Sequence, residues 1–156
     1  MFAVRHAAAV LALGLAAAAP AAAHAQARDF AFCDALTLVL SASNEAEPFS
    51  SLLRDQSARQ GYTTLALPGF EQCYVGRFGA EPPGIATYSC RNRKAPDDLS
   101  AQGLMDKVGV CLEKTPEVDE AGLSWIVAPP TRIRAEEAVM GENRMVLFKI
   151  EVAPKS

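Results

Sequence analysis

Histidine is almost missing from this chain: His6 and His24 are the only two in 156 residues. Both fall in the first 27 residues, which read as a removable leader. Arg5 gives a short positive start, Ala7 to Ala19 is an unbroken run of Ala, Val, Leu and Gly, and Ala23-His24-Ala25 and Ala25-Gln26-Ala27 are both A-x-A cleavage sites. The apolar run is too short to cross a bilayer, so the pattern is that of a secretory signal peptide rather than a span. We expect residues 1–25 to be the signal peptide, with cleavage after Ala25 or Ala27, and 28–153 to form a single exported domain near the commonest domain size. Cleavage at either site removes both histidines. Without them a Ser-His-Asp triad, a Cys-His dyad and most zinc sites are out of reach.

Other absences narrow the field further. No second apolar segment approaches the ~20 residues of a spanning helix, so no membrane insertion is expected after cleavage. Cys33 follows Phe30-Ala31-Phe32, too bulky for a lipoprotein cleavage site, and the leader lacks a twin-arginine pair; the protein is expected to be periplasmic or secreted, and not lipidated. Lys and Arg total 15 against 18 Asp and Glu, a net charge of −3. A mildly acidic chain with scattered charge has no electrostatic footprint for nucleic acid. The densest basic stretch, Arg91-Asn92-Arg93-Lys94, reads as a solvated turn before a helix. Phosphate-loop, calcium-loop and S-x-x-K patterns do not occur. We therefore expect no cofactor and no metal.

Four cysteines are present: Cys33, Cys73, Cys90 and Cys111. An even number in a small exported domain reads as two disulfides. Zinc ligands usually come in pairs roughly two to four residues apart, and these cysteines do not. Two pairings fit the pattern. Cys73–Cys90 with Cys33–Cys111 follows from a hairpin turn near Glu81-Pro82, which sets positions 73 and 90 opposite each other. Cys33–Cys73 with Cys90–Cys111 would staple each helix to the sheet. The narrow geometry demanded of directly opposed strand cysteines tips the reading toward the second.

Periodicity predicts a helix over 29–43, with Phe32, Cys33, Leu36, Val39 and Leu40 at three- and four-residue spacing. A short helical piece starts at Pro48 and ends by Gly61. Strands are expected at 62–67, 70–78 and 85–91. A second helix opens at Pro96-Asp97-Asp98 and runs to about Glu113; its Gly103 and Gly109 suggest close approach to the sheet or the other helix. Three more strands follow at 123–128, 131–139 and 144–152. The fold class is α+β: an antiparallel sheet with helices packed on one face, in the order α-βββ-α-βββ, stapled by two disulfides.

Functional signals are few. Glu113, Glu117, Asp119 and Glu120 cluster beside Trp125, the only tryptophan; paired carboxylates there would suit a small hydrolase of envelope polysaccharide. A small apolar ligand between helices and sheet is a third reading. Two stiff segments suit binding better: the loop of Glu81, Pro82 and Pro83, and Trp125-Ile126 ahead of Pro129-Pro130. Rigid loops lose little entropy on docking, and tryptophan is enriched at contact hot spots. By exclusion, the leading expectation is a non-enzymatic exported domain that binds another exported or envelope protein, as an adaptor, an inhibitor or an immunity-type accessory factor.

Overall fold

Asp29 accepts a hydrogen bond from the Phe32 amide at 3.1 Å and so starts the first helix, α1 (Phe30–Ala42), the role expected of an N-cap aspartate. In the computed structural model, residues 29–79, 84–92, 95, 96, 98–118 and 123–153 are described. The leader lies outside them, as do Glu81, Pro82, Pro83, Asp119 and Glu120. Phe32, Cys33, Leu36 and Val39 are buried on one stripe of α1, while Phe30 and Leu38 face outward. A short 3-10 turn at Ser50–Leu52 follows.

The strands are β1 (Gly61–Tyr62), β2 (Gln72–Phe78) and β3 (Ile85–Asn92), then, after helix α2 (Ala101–Leu112), β4 (Glu117–Val118), β5 (Ser124–Ala128), β6 (Thr131–Met140) and β7 (Asn143–Val152). They form one antiparallel sheet in the order β1-β2-β3-β7-β6-β5-β4. The α+β class with an antiparallel sheet therefore holds, with a seventh strand: Glu117–Val118, read in the sequence as part of an acidic connection, pairs with Ser124–Trp125. The strand expected over 62–67 stops at Tyr62. There the Thr63 hydroxyl donates to the Leu65 carbonyl at 2.7 Å, a local bond of the kind that competes with a ladder, and Leu67 enters the core instead.

Helix α2 begins later than Pro96-Asp97-Asp98 suggests. Ser100 is its cap, its hydroxyl accepting from the Gly103 amide at 3.0 Å, and a Glu137 oxygen from β6 accepts from the Ala101 amide at 2.9 Å. Gly109 makes a close approach, but to neither the sheet nor the other helix. A Cβ there would stand 2.6 Å from the Lys114 carbonyl oxygen, where the chain folds back and Lys114 N donates to Gly109 O. Glu113 takes the left-handed conformation that closes the helix.

Strict alternation divides the sheet. Val146, Phe148, Ile150 and Val152 of β7 are buried, as are Ile133 and Ala135 of β6, Ile126 of β5, Ala86, Tyr88 and Cys90 of β3, and Cys73 and Val75 of β2. These residues form one cluster with the apolar stripes of both helices. Phe32 meets Phe148 edge-on at 6.5 Å, and α2 packs against β5, β6 and β7. Tyr88 is fully enclosed, and its hydroxyl donates to the Leu65 carbonyl at 2.9 Å. Burial pushes its pKa well up, so it remains a neutral donor.

The disulfides are Cys33–Cys111, which joins the two helices, and Cys73–Cys90. This corrects the pairing favoured from sequence. Cys73 and Cys90 are register partners on β2 and β3 with their Cα atoms 4.1 Å apart, the close kind of antiparallel pair, so no backbone shift is needed to join them. Two disulfides mark a protein that folds in an oxidising compartment.

Two outcomes follow from this packing. The Cys33–Cys111 loop spans 78 residues and the Cys73–Cys90 loop 17. In the loop-entropy description the first contributes about 4.5 kcal/mol and the second about 3 kcal/mol. Urea titration should therefore find the double variant Cys33→Ala/Cys111→Ala less stable than Cys73→Ala/Cys90→Ala. Gly109→Ala should also destabilise. The ~1 kcal/mol that alanine gains in a helix interior is outweighed by the clash with a backbone carbonyl that cannot rotate away, worth about 1–3 kcal/mol; a lowered Tm would register it.

Candidate functional site

On the other face of the sheet, the pairing register lines up residues that are distant in sequence. One row runs Tyr62, Tyr74, Ser89, Lys149, Arg134, Trp125, Glu117 across all seven strands. The adjoining row runs Gly76, Thr87, Glu151, Arg132, Val127. This face is partly solvated, as expected where an antiparallel sheet covers its core on one side only.

Its centre is a charge network. Arg134 contacts Glu136 at 2.9 Å and Glu151 at 3.0 Å, and Lys149 reaches Glu136 at 3.3 Å. Each cation meets a carboxylate across a strand, so the network is neutral as a whole. Single surface pairs of this sort contribute 0–1 kcal/mol, and a connected set is firmer than its parts. Its larger effect is to hold long side chains in fixed positions.

Beside the network lies an apolar patch. Phe78 is 61% exposed, Ile85 43% and Val127 42%. Ile85 joins the other two. With Phe78, Thr87, Arg134, Lys149 and Glu151 it lines a cleft of about 280 Å³, and with Val127, Pro129, Pro130, Arg132 and Glu151 a wider one of about 410 Å³. The Phe78 ring lies back over Gly76, where a Cβ would come within 2.7 Å of it; glycine there leaves the ring room to lie along the strand.

Trp125 sits next to this patch. Its indole N–H donates to Glu117 at 3.1 Å, and the Arg132 guanidinium stacks over its ring at 4.7 Å. Ile126, read from sequence as a contact residue, is 1% exposed and belongs to the core. Alternation decides this: if Trp125 faces out, residue 126 faces in, and Val127 takes the outward place. Of the stiff segments, Pro129 and Pro130 border the wider cleft, while Glu81, Pro82 and Pro83 lie outside the described residues. The loop they belong to springs from Phe78 and Ile85, which pair directly.

Of the carboxylates singled out for hydrolysis, Asp119 and Glu120 lie outside the described residues, and the other two have structural roles. Glu117 holds the indole, and Glu113 closes α2. Among the described residues no group of three or more His, Cys, Asp or Glu could hold a metal ion, and no helix is long and apolar enough to cross a membrane. No family model matches the chain, and neither a curated protein nor a solved structure matches it.

The stacked guanidinium gives a direct readout. Arg132→Ala should uncover the only tryptophan, shifting its emission to the red and raising its quenching by acrylamide. Stability should fall by only about 0.5–1 kcal/mol, the usual worth of an exposed cation–π contact.

Proposed function

We infer that this is an exported, non-enzymatic domain of the bacterial envelope, with both helices covering one face of the sheet and the other face docking a second exported protein. The observation that carries this is the patch of Phe78, Ile85 and Val127. Large apolar side chains grouped on one surface and rimmed by charge are the usual mark of a docking site. The surroundings suit the same role: Pro129 and Pro130 stiffen one border, and Trp125 and Arg132, residue types common at hot spots, stand beside it with little freedom left to lose. The ion-paired rim of Arg134, Glu151 and Lys149 would supply register more than affinity.

A hydrolase would need two carboxyls across a sugar-sized cleft. Among the described residues, Glu151 is the single carboxylate lining the two clefts of the patch, and Arg134 holds it.

The test is capture from a periplasmic extract with the oxidised protein as bait. Ile85→Asp and Val127→Asp place a charge on the patch without disturbing the core. We expect one protein recovered in stoichiometric amount by the parent chain, and its loss of at least tenfold with either variant at unchanged Tm. Recovery that ignores both substitutions would refute the docking face.

A further inference from the structure

A third cleft, of about 330 Å³, opens at the β1 end of the same face, lined by Tyr62, Gln72, Tyr74, Ser89, Arg91 and Leu147. Its volume falls within the ~300–1,000 Å³ of small-ligand sites. Two register rows build it: Tyr62–Tyr74–Ser89, and Gln72–Arg91–Leu147. Ile85 and Ser89 stand four residues apart on β3, about 13 Å, so this cleft is separate from the apolar patch.

Its chemistry differs from that of the patch. The tyrosine rings meet edge to face, with centroids 5.6 Å apart and planes at 84°, which fixes both. Arg91 forms no ion pair among the described residues, whereas Arg77, Arg134 and Arg144 each hold a glutamate. Gln72, its register partner, has a side-chain amide with no bond among them either. Among the described residues no carboxylate lines the cleft. These residues thus offer aromatic surface, an amide, hydroxyls and a cation with no ion pair among them.

The geometry points to a binding site for a carboxylated sugar residue of an acidic polysaccharide. A pyranose presents C–H groups on one face, which lie on an aromatic ring. Its hydroxyls match the amide of Gln72 and the phenols, which donate and accept. A guanidinium grips a single planar carboxylate in two parallel bonds. Polyphosphate fits less well, because phosphate sites draw on free backbone N–H groups at a helix start or a nest. Here β2 and β3 pair along their whole length, and recognition falls to side chains.

Calorimetric titration of the disulfide-bonded protein with trigalacturonate, maltotriose and a glutamate-rich peptide tests this. We expect trigalacturonate to bind at least tenfold more tightly than maltotriose or the peptide. Arg91→Gln, at an exposed position with no ion pair among the described residues, should bring the acidic sugar down to the level of the neutral one. Tyr62→Ala should weaken both sugars, with Tm recorded to show that the sheet persists. Ile85→Asp should leave sugar binding intact, which keeps this result independent of the docking face. Absence of sugar binding, binding indifferent to Arg91→Gln, or an equal affinity for the acidic peptide would each overturn the assignment.

Discussion

The pairing of β3 with β7 is the constraint on which the rest of this structure depends. It runs from Ala86–Val152 to Asn92–Val146 and is the contact that makes one sheet out of two hairpin systems. Joined, they present Tyr88, Cys90, Phe148 and Ile150 side by side, and that surface receives Phe32 of α1 and the α2 stripe. Because side chains alternate strictly, the same register that assembles the core also assembles its opposite. Ser89 meets Lys149 and Thr87 meets Glu151, so the surface that carries the clefts follows from the burial pattern.

Most elements were legible because their periodicities are strong. Val146, Phe148, Ile150 and Val152 name a strand and its buried face, and Phe32, Leu36 and Val39 name a helix. Weak signals misled where a short-range bond overrode propensity. Thr63 to Leu67 is rich in strand formers, yet the Thr63 hydroxyl bonds locally and turns the chain away. Ser100, not the acids before it, caps α2, because its hydroxyl reaches the Gly103 amide. Two-residue strands such as β4 have no periodicity to read.

The site was less legible than the fold, for a physical reason. Trp125 could be picked out by type, but Phe78, Ile85 and Val127 become a patch only through the strand order, which brings β2 and β3 near β5 by way of β6 and β7. Sequence spacing carries no trace of that neighbourhood. Alternation alone could have corrected one choice, since Ile126 cannot share a face with Trp125. The disulfides show the same limit: residue spacing sets 73 opposite 90, but only the register brings their Cα atoms close enough to join.

Both outermost strands, β1 and β4, are two residues long. Next to β4, the Val127 carbonyl accepts from the Lys114 ammonium at 2.7 Å, while Arg77 on β2 reaches the Pro48 and Arg59 carbonyls. Short borders and a lysine on the free backbone are devices that stop a sheet from recruiting a foreign strand. A partner that adds a strand reads main-chain hydrogen bonds, which nearly any extended sequence can supply. With that route closed, the docking proposed above would come through side chains on the flat of the sheet. Selectivity would then be written in a handful of outward positions that can change one at a time, while the ladder that holds the molecule together stays untouched.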